Sequence, residues 1–271
     1  MTRHGKTRLM LIHVIADFGV NDLAFAEVSQ RIKHYLPQAE LVSTTVPPFA
    51  TLAAGFCVAQ LGLNTAPENM LIFHNVAPRK DNTERRSNND GERLVYARLP
   101  NGVQVVGVHA GHAFSFIKDI ATELRYVNCA SAGSQFRSRD IFPQAFAAAV
   151  TNQADAFAES LAAADVPEVP TSRIAYIDGF GNIKTTLMGV ADYPDGSSVT
   201  IKIGDVTREA VVSDGSFSVP QGTLALSPGS SGWQGKNGQQ VRWTELFLRG
   251  ASAAAAFGQP QLNEAVHITN S

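Results

Sequence analysis

The sequence predicts an α/β fold: a mixed or parallel sheet with helices in the N-terminal part, then a smaller, mainly antiparallel β domain. Three observations predict it. Short apolar runs alternate with segments of helical spacing through the first part of the chain. The Pro-containing stretch Asp165-Val166-Pro167-Glu168-Val169-Pro170 then reads as a linker. Beyond it come short β-rich runs separated by Gly and Ser-Asp-Gly turns. The expected domains are residues 1–165 and 171–271.

The elements follow in order. Leu9 to Ala16 is a short apolar run and reads as a buried parallel strand. Arg3, Lys6 and Arg8 precede it, as in a signal peptide. His13 and Asp17 interrupt the run, however, and no small-residue cleavage site follows. Phe25, Val28, Ile32 and Tyr35 have helical spacing, and Pro37 ends that helix. Glu40 to Val46 is a second strand, turned by Pro47-Pro48-Phe49. Ala50 to Leu63 is an Ala-rich helix, and Met70 to His74 a third buried strand. The polar stretch Pro78 to Gly91 reads as a mobile loop. Leu94 to Arg98 and Val103 to Val108 form a hairpin through Pro100-Asn101-Gly102. Phe114 to Leu124 is expected to be helical, and Ile141 to Ala164 to be one long Ala-rich helix. Strands are then expected at Ser198 to Ile203, Thr207 to Val212, Thr223 to Leu226 and Val241 to Phe247.

Composition excludes several classes. The net charge of -2 gives no basic stripe for nucleic acid. At 44% hydrophobic and 17% charged residues the chain can bury a core, so it is not a disordered tail. No run approaches the roughly 18 apolar residues of a membrane span. The 2 cysteines, Cys57 and Cys129, make no disulfide framework and suit a reducing, cytoplasmic compartment.

Chemistry concentrates in two segments, Ala16-Asp17-Phe18-Gly19-Val20-Asn21-Asp22 and Ile177-Asp178-Gly179-Phe180-Gly181-Asn182. Each ends a predicted strand with an acid, an aromatic, a glycine and an amide. In an α/β fold, ligands bind beyond the C-terminal ends of strands. Asp17, Asn75 and the loop after Phe136 are placed there.

Four segments together resemble the S-adenosylmethionine hydroxide adenosyltransferase family, whose relatives include fluorinating and chlorinating enzymes. Ala16-Asp17-Phe18-Gly19 is similar to its Thr-Asp-Phe-Gly. Phe136-Arg137-Ser138-Arg139-Asp140-Ile141-Phe142 is similar to its Phe-His-Gly-Arg-Asp-Ile-Phe. Ile177 to Asn182 resembles its Ile-Asp-x-Phe-Gly-Asn, and Arg249-Gly250-Ala251-Ser252-Ala253-Ala254 its Asn-x-Ser-Ala-Ala. The matches run in order over nearly the whole chain. The resemblance implies an N-terminal α/β domain with a smaller C-terminal antiparallel β-barrel, S-adenosylmethionine as substrate, no cofactor or metal, and a homotrimer. Its sites would lie between one subunit's N-terminal domain and the next subunit's C-terminal domain.

The resemblance also implies roles. Asp17 would hold the ribose through its carboxylate; otherwise it is a helix cap. Asp22 would serve the methionine amine, or be a first-turn acid at the helix dipole. Phe49, where halogenating relatives carry Trp, would wall the pocket, or be core. Asp178 would hold the methionine ammonium, Phe180 would pack on the adenine, and Asn182 would hydrogen-bond the base; the alternative is an ordinary turn. Ser230-Ser231-Gly232-Trp233 falls at the family's Asn-Ser-x-Gly-Tyr, so Ser230 would meet the methionine carboxylate and Trp233 would lie at the site. Arg249 and Ala251 would read the adenine edge through backbone groups.

The reaction centre departs from the family. Asn75 stands at the family's Asp and Arg137 at its His, with Ser138 following at its Gly. The family's Arg would be Arg85 or Arg86. Asn75 cannot act as a base, and Arg137 cannot accept a proton. His74 is one residue from the Asp position and is a candidate replacement. Three expectations stand together: hydrolysis of S-adenosylmethionine by attack of water at C5′, binding of S-adenosylmethionine or adenosine without turnover, and transfer of the adenosyl group to another anion such as halide. His109-x-x-His112 is half of a metal site with no third ligand nearby, and otherwise two loop histidines.

Overall fold

The structure, a computed structural model, describes residues 9–78, 84, 90–130, 133–190 and 193–270. Most of the polar stretch from Pro78 to Gly91, Arg85 and Arg86 among it, lies outside the described residues. The chain divides into two compact units, with the boundary between Pro167 and Glu168. The expected mixed α/β architecture is present, with seven strands in each of two sheets.

The first unit opens with β1 (Met10–Ala16), whose Val14, Ile15 and Ala16 are fully buried. Helix α1 (Leu23–Tyr35) follows. Its apolar positions Phe25, Val28 and Ile32 share one face and are buried. Strand β2 (Ala39–Thr45), helix α2 (Thr51–Gly62) and strand β3 (Leu71–Asn75) come next. Helix α2 is apolar almost all round and is buried accordingly. Strands β4 (Leu94–Arg98) and β5 (Gln104–Val108) form the expected hairpin. Asn101 sits at its tip, its side-chain oxygen accepting from the Val103 N–H, and Gly102 takes the positive φ of 88°. Strands β6 (Glu123–Val127) and β7 (Phe157–Ser160) complete a sheet in the order β2-β1-β3-β5-β4-β6-β7.

Two expected helices are corrected. Residues 111–120 form successive turns with mixed hydrogen bonds: the Ile117 N–H goes to the Phe114 carbonyl three residues back, and the Ala121 N–H to Ile117 four back. Leu124 is in β6, paired with Ala97. The long helix expected from Ile141 to Ala164 is instead α3 (Arg137–Asp140), α4 (Phe142–Val150) and then β7. Asn152 stops α4. It takes a left-handed φ of 54° and donates its N–H to the Ala149 carbonyl, as helix C-termini often do.

Within the sheet, β1 pairs in parallel with β2 on one side and β3 on the other. The chain thus reverses its direction of strand addition at β1, making a topological switch point. Ala16 is in register with both Thr45 and Asn75. The residues just beyond these three strands therefore share one end of the sheet. Helices α1 and α4 pack together with the sheet in one core containing Phe25, Ile32, Phe73 and Phe146. The Phe73 and Phe146 rings lie 5.3 Å apart, and each buried ring contributes roughly 2–3 kcal/mol.

The second unit contains β8 (Ile174–Ile177), β9 (Ile183–Met188), β10 (Ser198–Ile203), β11 (Val206–Val212), β12 (Leu224–Gln234), β13 (Gln240–Leu248), α5 (Ala253–Ala256) and β14 (Val266–Asn270). Their sheet order is β14-β10-β11-β12-β13-β9-β8. Its two edges meet. Arg173, just before β8, bridges Ala265, just before β14, and the N–H groups of Ile174 and Val266 bond across the same seam. Curling a sheet onto itself encloses the apolar side chains of Ile174, Ile183, Ile201, Leu226 and Leu246. Strand β12 runs further than expected, with a register shift between Pro228 and Gly232.

Candidate functional site

The candidate residues lie in two groups, one in each unit. In the first unit they gather beyond β1 and β3. One Asp17 carboxylate oxygen accepts the backbone N–H of Phe49 at 2.9 Å. Phe49 is half exposed and holds a φ of 65°, a conformation bulky residues rarely adopt. The turn after Pro47-Pro48 thus folds back onto the Asp17 carboxylate, and two residues far apart in sequence meet. Asp17 does not cap α1. That role belongs to Asp22, whose side chain accepts from the Ala24 N–H at 2.8 Å. Asp22 is thereby accounted for by its helix-end reading.

At the end of β3, the Asn75 side-chain oxygen accepts the Ser138 hydroxyl at 2.9 Å. This brings together the family's Asp position and the residue following its His position. Arg137 points elsewhere. Its Nη1 donates to the Glu92 carbonyl at 3.1 Å, and its guanidinium lies over the Phe142 ring. Gly91 makes room for it, since a Cβ there would sit 2.4 Å from that Nη1. Arg137 is held in place by backbone and ring. The neighbouring Arg139 joins Glu27 and Asp140, tying α3 to α1. The Arg139 guanidinium, with Ser134, holds the Asp140 carboxyl down to about 2.

His74 is a core residue. It is fully buried, its ring lies against Phe114, and neither ring nitrogen has a hydrogen-bond partner among the described residues. A Cβ on Gly107 would fall 2.0 Å from that ring, so glycine is what admits it into the sheet. Burial, helped by His109, pushes His74 down to about 3. The ring stays neutral, is a poor proton acceptor and is shut from solvent. His109 pairs with the Tyr126 hydroxyl and His112 with Ser115. Among the described residues no three His, Cys, Asp or Glu side chains gather as a metal site.

The second group is more open. The turn between β8 and β9 is organised by Asp178. Its Oδ1 accepts the N–H groups of Phe180 and Asn182, and its Oδ2 accepts the Asn182 side-chain amide, each at 3.0 Å. Gly181 takes a φ of 81°, and a Cβ there would lie 2.0 Å from the Ser252 hydroxyl. Its carbonyl accepts the Ala254 N–H. The turn is thus seated on α5, and Phe180 projects from it, 82% exposed.

Phe180 stands at a cleft of about 920 Å³. Asp178, Asn182, Ser230, Arg249 and Ala251 line the same cleft. Six of the expected residues therefore meet at one place. Trp233 does not join them. It is buried against Trp243, with ring centroids 5.6 Å apart, because the expected site role falls on the inward face of β12. Arg249 is held by the Val219 carbonyl and lies by the exposed Phe217, another residue of the cleft wall.

Sequence reading missed the ion pair in the wall. Lys184 Nζ lies 2.9 Å from Glu245 Oε2 and donates to Ser230 Oγ at 3.2 Å. It also lies 3.7 Å from Asp178 Oδ2. Glu245 and Ser230 line the cleft, with Lys184 buried behind them. The only sequence signal was a lysine among Ile183, Thr185 and Thr186 on a strand.

No family model matches the chain, and no curated protein matches it. Solved structures do. A crystal structure of an uncharacterized conserved protein from Thermotoga maritima is similar at 17% identity and a TM-score of 0.72, over 95% of this chain and 100% of that one. A conserved hypothetical protein from Thermus thermophilus is similar at 19% identity and a TM-score of 0.64, over 96% and 100%. The likeness is one of fold. It spans both units, so the pairing of an α/β unit with a curled β unit recurs in those proteins.

Proposed function

We propose that this chain binds S-adenosylmethionine and catalyses substitution at its C5′ carbon, with water as nucleophile, giving adenosine and L-methionine. One observation carries the reading. Three segments distant in sequence, Asp178 to Asn182, Ser230, and Arg249 to Ala251, line a single cleft large enough for a nucleoside with an amino-acid tail. Two of them, Asp178 to Asn182 and Arg249 to Ala251, lie in segments that carry the family resemblance.

The cleft supplies what such a ligand needs. Phe180 offers a ring face for adenine. Asn182 offers an amide to the base edge. Asp178 and Ser230 face the amino-acid tail, and the Asp17 carboxylate takes the ribose hydroxyls with the oxygen that Phe49 leaves open. The halves belong to separate units, and the reading has them complete one another between subunits of a homotrimer. The free thiols Cys57 and Cys129 fit a cytoplasmic protein. Among the described residues no helix is long and apolar enough to cross a membrane.

The chemistry asks little of the leaving group. A water lone pair forms the C5′–O bond as the C5′–S bond breaks, and its electrons leave with methionine as a neutral thioether. One proton is released. The Asn75 amide and the Ser138 oxygen can hold the attacking water in line. Neither takes its proton, and His74 is too deeply buried to do so. A general base is worth about 10²–10⁴-fold, so turnover is expected to be slow. The Asn75–Ser138 hydrogen bond favours one second reading, a protein that binds the adenosyl ligand without turnover. Delivery of another anion such as halide needs no base and is tested by the same experiment.

The experiment is a long incubation of purified protein with S-adenosylmethionine. Chromatography measures adenosine and 5′-substituted adenosines, with halide added in one arm. Calorimetry on the same batch measures binding. Adenosine above the protein-free control, lost in Asp17→Ala, supports the hydrolase. Binding without product supports the second reading. Absence of both overturns the adenosyl reading.

A further inference from the structure

The Glu245 carboxylate is held at one oxygen only. Its Oε2 accepts Lys184 Nζ at 2.9 Å and the Ser230 N–H at 3.2 Å, and lies 3.4 Å from the Ser230 hydroxyl. Its Oε1 makes no hydrogen bond among the described residues, although the residue is only 7% exposed and lines the cleft. A carboxylate oxygen in so confined a place, without a donor, is set to take one from a ligand.

The charges around it say which donor. Asp178 and Glu245 both line the cleft, and a single buried ammonium, Lys184, lies behind them within 4 Å of both. Two carboxylates sharing one ammonium leave this wall with a formal charge of -1. The Asp178 oxygens already accept three hydrogen bonds from their own turn. Glu245 also accepts three, but all at Oε2, so of the two acids it is the one with an oxygen left over. Arg242 and Arg249 also line the cleft. Arg249 is held by the Val219 carbonyl on the Phe217 side. Arg242 makes no ion pair among the described residues, so it is the cation free to meet an anionic group. A ligand part that carries both charges, an α-amino acid, is matched by Glu245 on one side and a guanidinium on the other.

We propose that Glu245, braced by Lys184, is a specificity-determining residue whose free oxygen accepts the primary ammonium of the ligand's amino-acid tail. The assignment rests on the adenosyl reading and deepens it. It shifts recognition of the ammonium from Asp178, which shapes the turn, to Glu245, which has an oxygen to spare. Lys184 is a positioning residue: it fixes the carboxylate rotamer and holds Ser230 beside it.

Calorimetry with two probes tests this. Adenosine lacks the tail and S-adenosylmethionine carries it. In Glu245→Gln the shape is kept and the charge removed. Affinity for S-adenosylmethionine is expected to fall about tenfold or more, the loss of a charge-assisted hydrogen bond, while adenosine affinity is unchanged. Retained adenosine binding also establishes that the variant is folded. Lys184→Arg, which preserves the brace, should bind S-adenosylmethionine better than Lys184→Met. Equal weakening of both probes in Glu245→Gln overturns the assignment in favour of a ribose or base contact. No weakening of either overturns it outright. Wild-type protein that binds neither probe overturns the adenosyl reading itself, and this inference with it.

Discussion

The two groups of candidate residues differ in how far their polar atoms are already satisfied. Beyond β1 and β3, Asn75 is bonded to Ser138, Arg137 to a carbonyl and a ring, and Asp17 to the Phe49 N–H. In the second unit the residues border open volume: Phe180 is exposed, Glu245 has a free oxygen, and Ser230 lines the cleft. Hydrogen bonds made within the protein lower what a polar group gains from a ligand. The second unit is thus built to hold something. In the first, the polar groups are mostly bonded to one another, and the Asp17 carboxylate keeps one oxygen open. On the proposed reading, that contrast corresponds to a binding cleft without a proton acceptor at the reaction centre.

The largest effect is expected where turn and ligand depend on one side chain. Asp178→Ala removes three hydrogen bonds to the Phe180–Asn182 backbone and amide. A loss of roughly 3 kcal/mol of stability is expected by thermal melting, together with the loss of S-adenosylmethionine binding. Asp178→Asn keeps part of the turn and should recover stability before binding. Full ligand affinity in Asp178→Ala would break the contrast, because the open half would then not need its turn.

Acid acts on the first unit. Neutral His74 in the folded protein, at about 3 against an unfolded 6.5, means that the unfolded chain binds a proton the folded chain refuses. Its contribution is fully present above pH 6.5 and is lost as pH falls toward 3, by about 1.4 kcal/mol per pH unit. Melting temperature against pH should fall over that window in the wild type. It should flatten in His74→Phe, provided the ring packs against Gly107. An unchanged slope would count against His74 as a buried neutral group.

A smaller effect tests whether the centre can regain a base. Asn75→Asp restores a carboxylate next to the Ser138 hydroxyl. It should raise adenosine formation by about tenfold or more if the Asn75–Ser138 pair holds the water. No rise, with binding intact, would place the nucleophile elsewhere. The smallest effect serves as the control. Asp22→Ala removes the α1 cap and should cost about 1 kcal/mol of stability, leaving ligand affinity untouched. A drop in affinity would return Asp22 to the amine-binding role its position first suggested.

Strands β1 and β3 were legible because they are short apolar runs; β9, with Lys184, Thr185 and Thr186, offers no such run. The hairpin was legible through Asn101-Gly102, and the unit boundary lies in a stretch that carries its own prolines. Errors came where local pattern was outvoted. Asn152 reads as one more polar helix residue, yet its left-handed backbone ends α4 and frees Phe157 for β7. Phe114 and Ile117 have helical spacing, but their segment is a run of turns, and Lys118 reaches out to the Val166 carbonyl. In the site, the turn from Asp178 to Asn182 could be found because its residues are contiguous. The Lys184–Glu245 pair could not. Its members lie on different strands, and each alone reads as an exposed strand residue. Trp233 was misplaced for the complementary reason: the register shift in β12 decides which side chains face inward, and no residue type announces it.

Gly181 links the turn to the rest of the unit in a way that reaches beyond this ligand. Its missing side chain is the space taken by Ser252, which caps α5, and its carbonyl accepts the Ala254 N–H of that same short helix. The Phe-Gly-Asn turn and the Ala-Ser-Ala-Ala segment are therefore one structural piece, although a long stretch of chain separates them. A substitution at either is answerable to the other whatever occupies the cleft. New ligand preferences can arise at Phe180, Ser230 or Glu245 while that joint stays fixed, which makes the second unit a frame on which specificity can be rewritten one wall at a time.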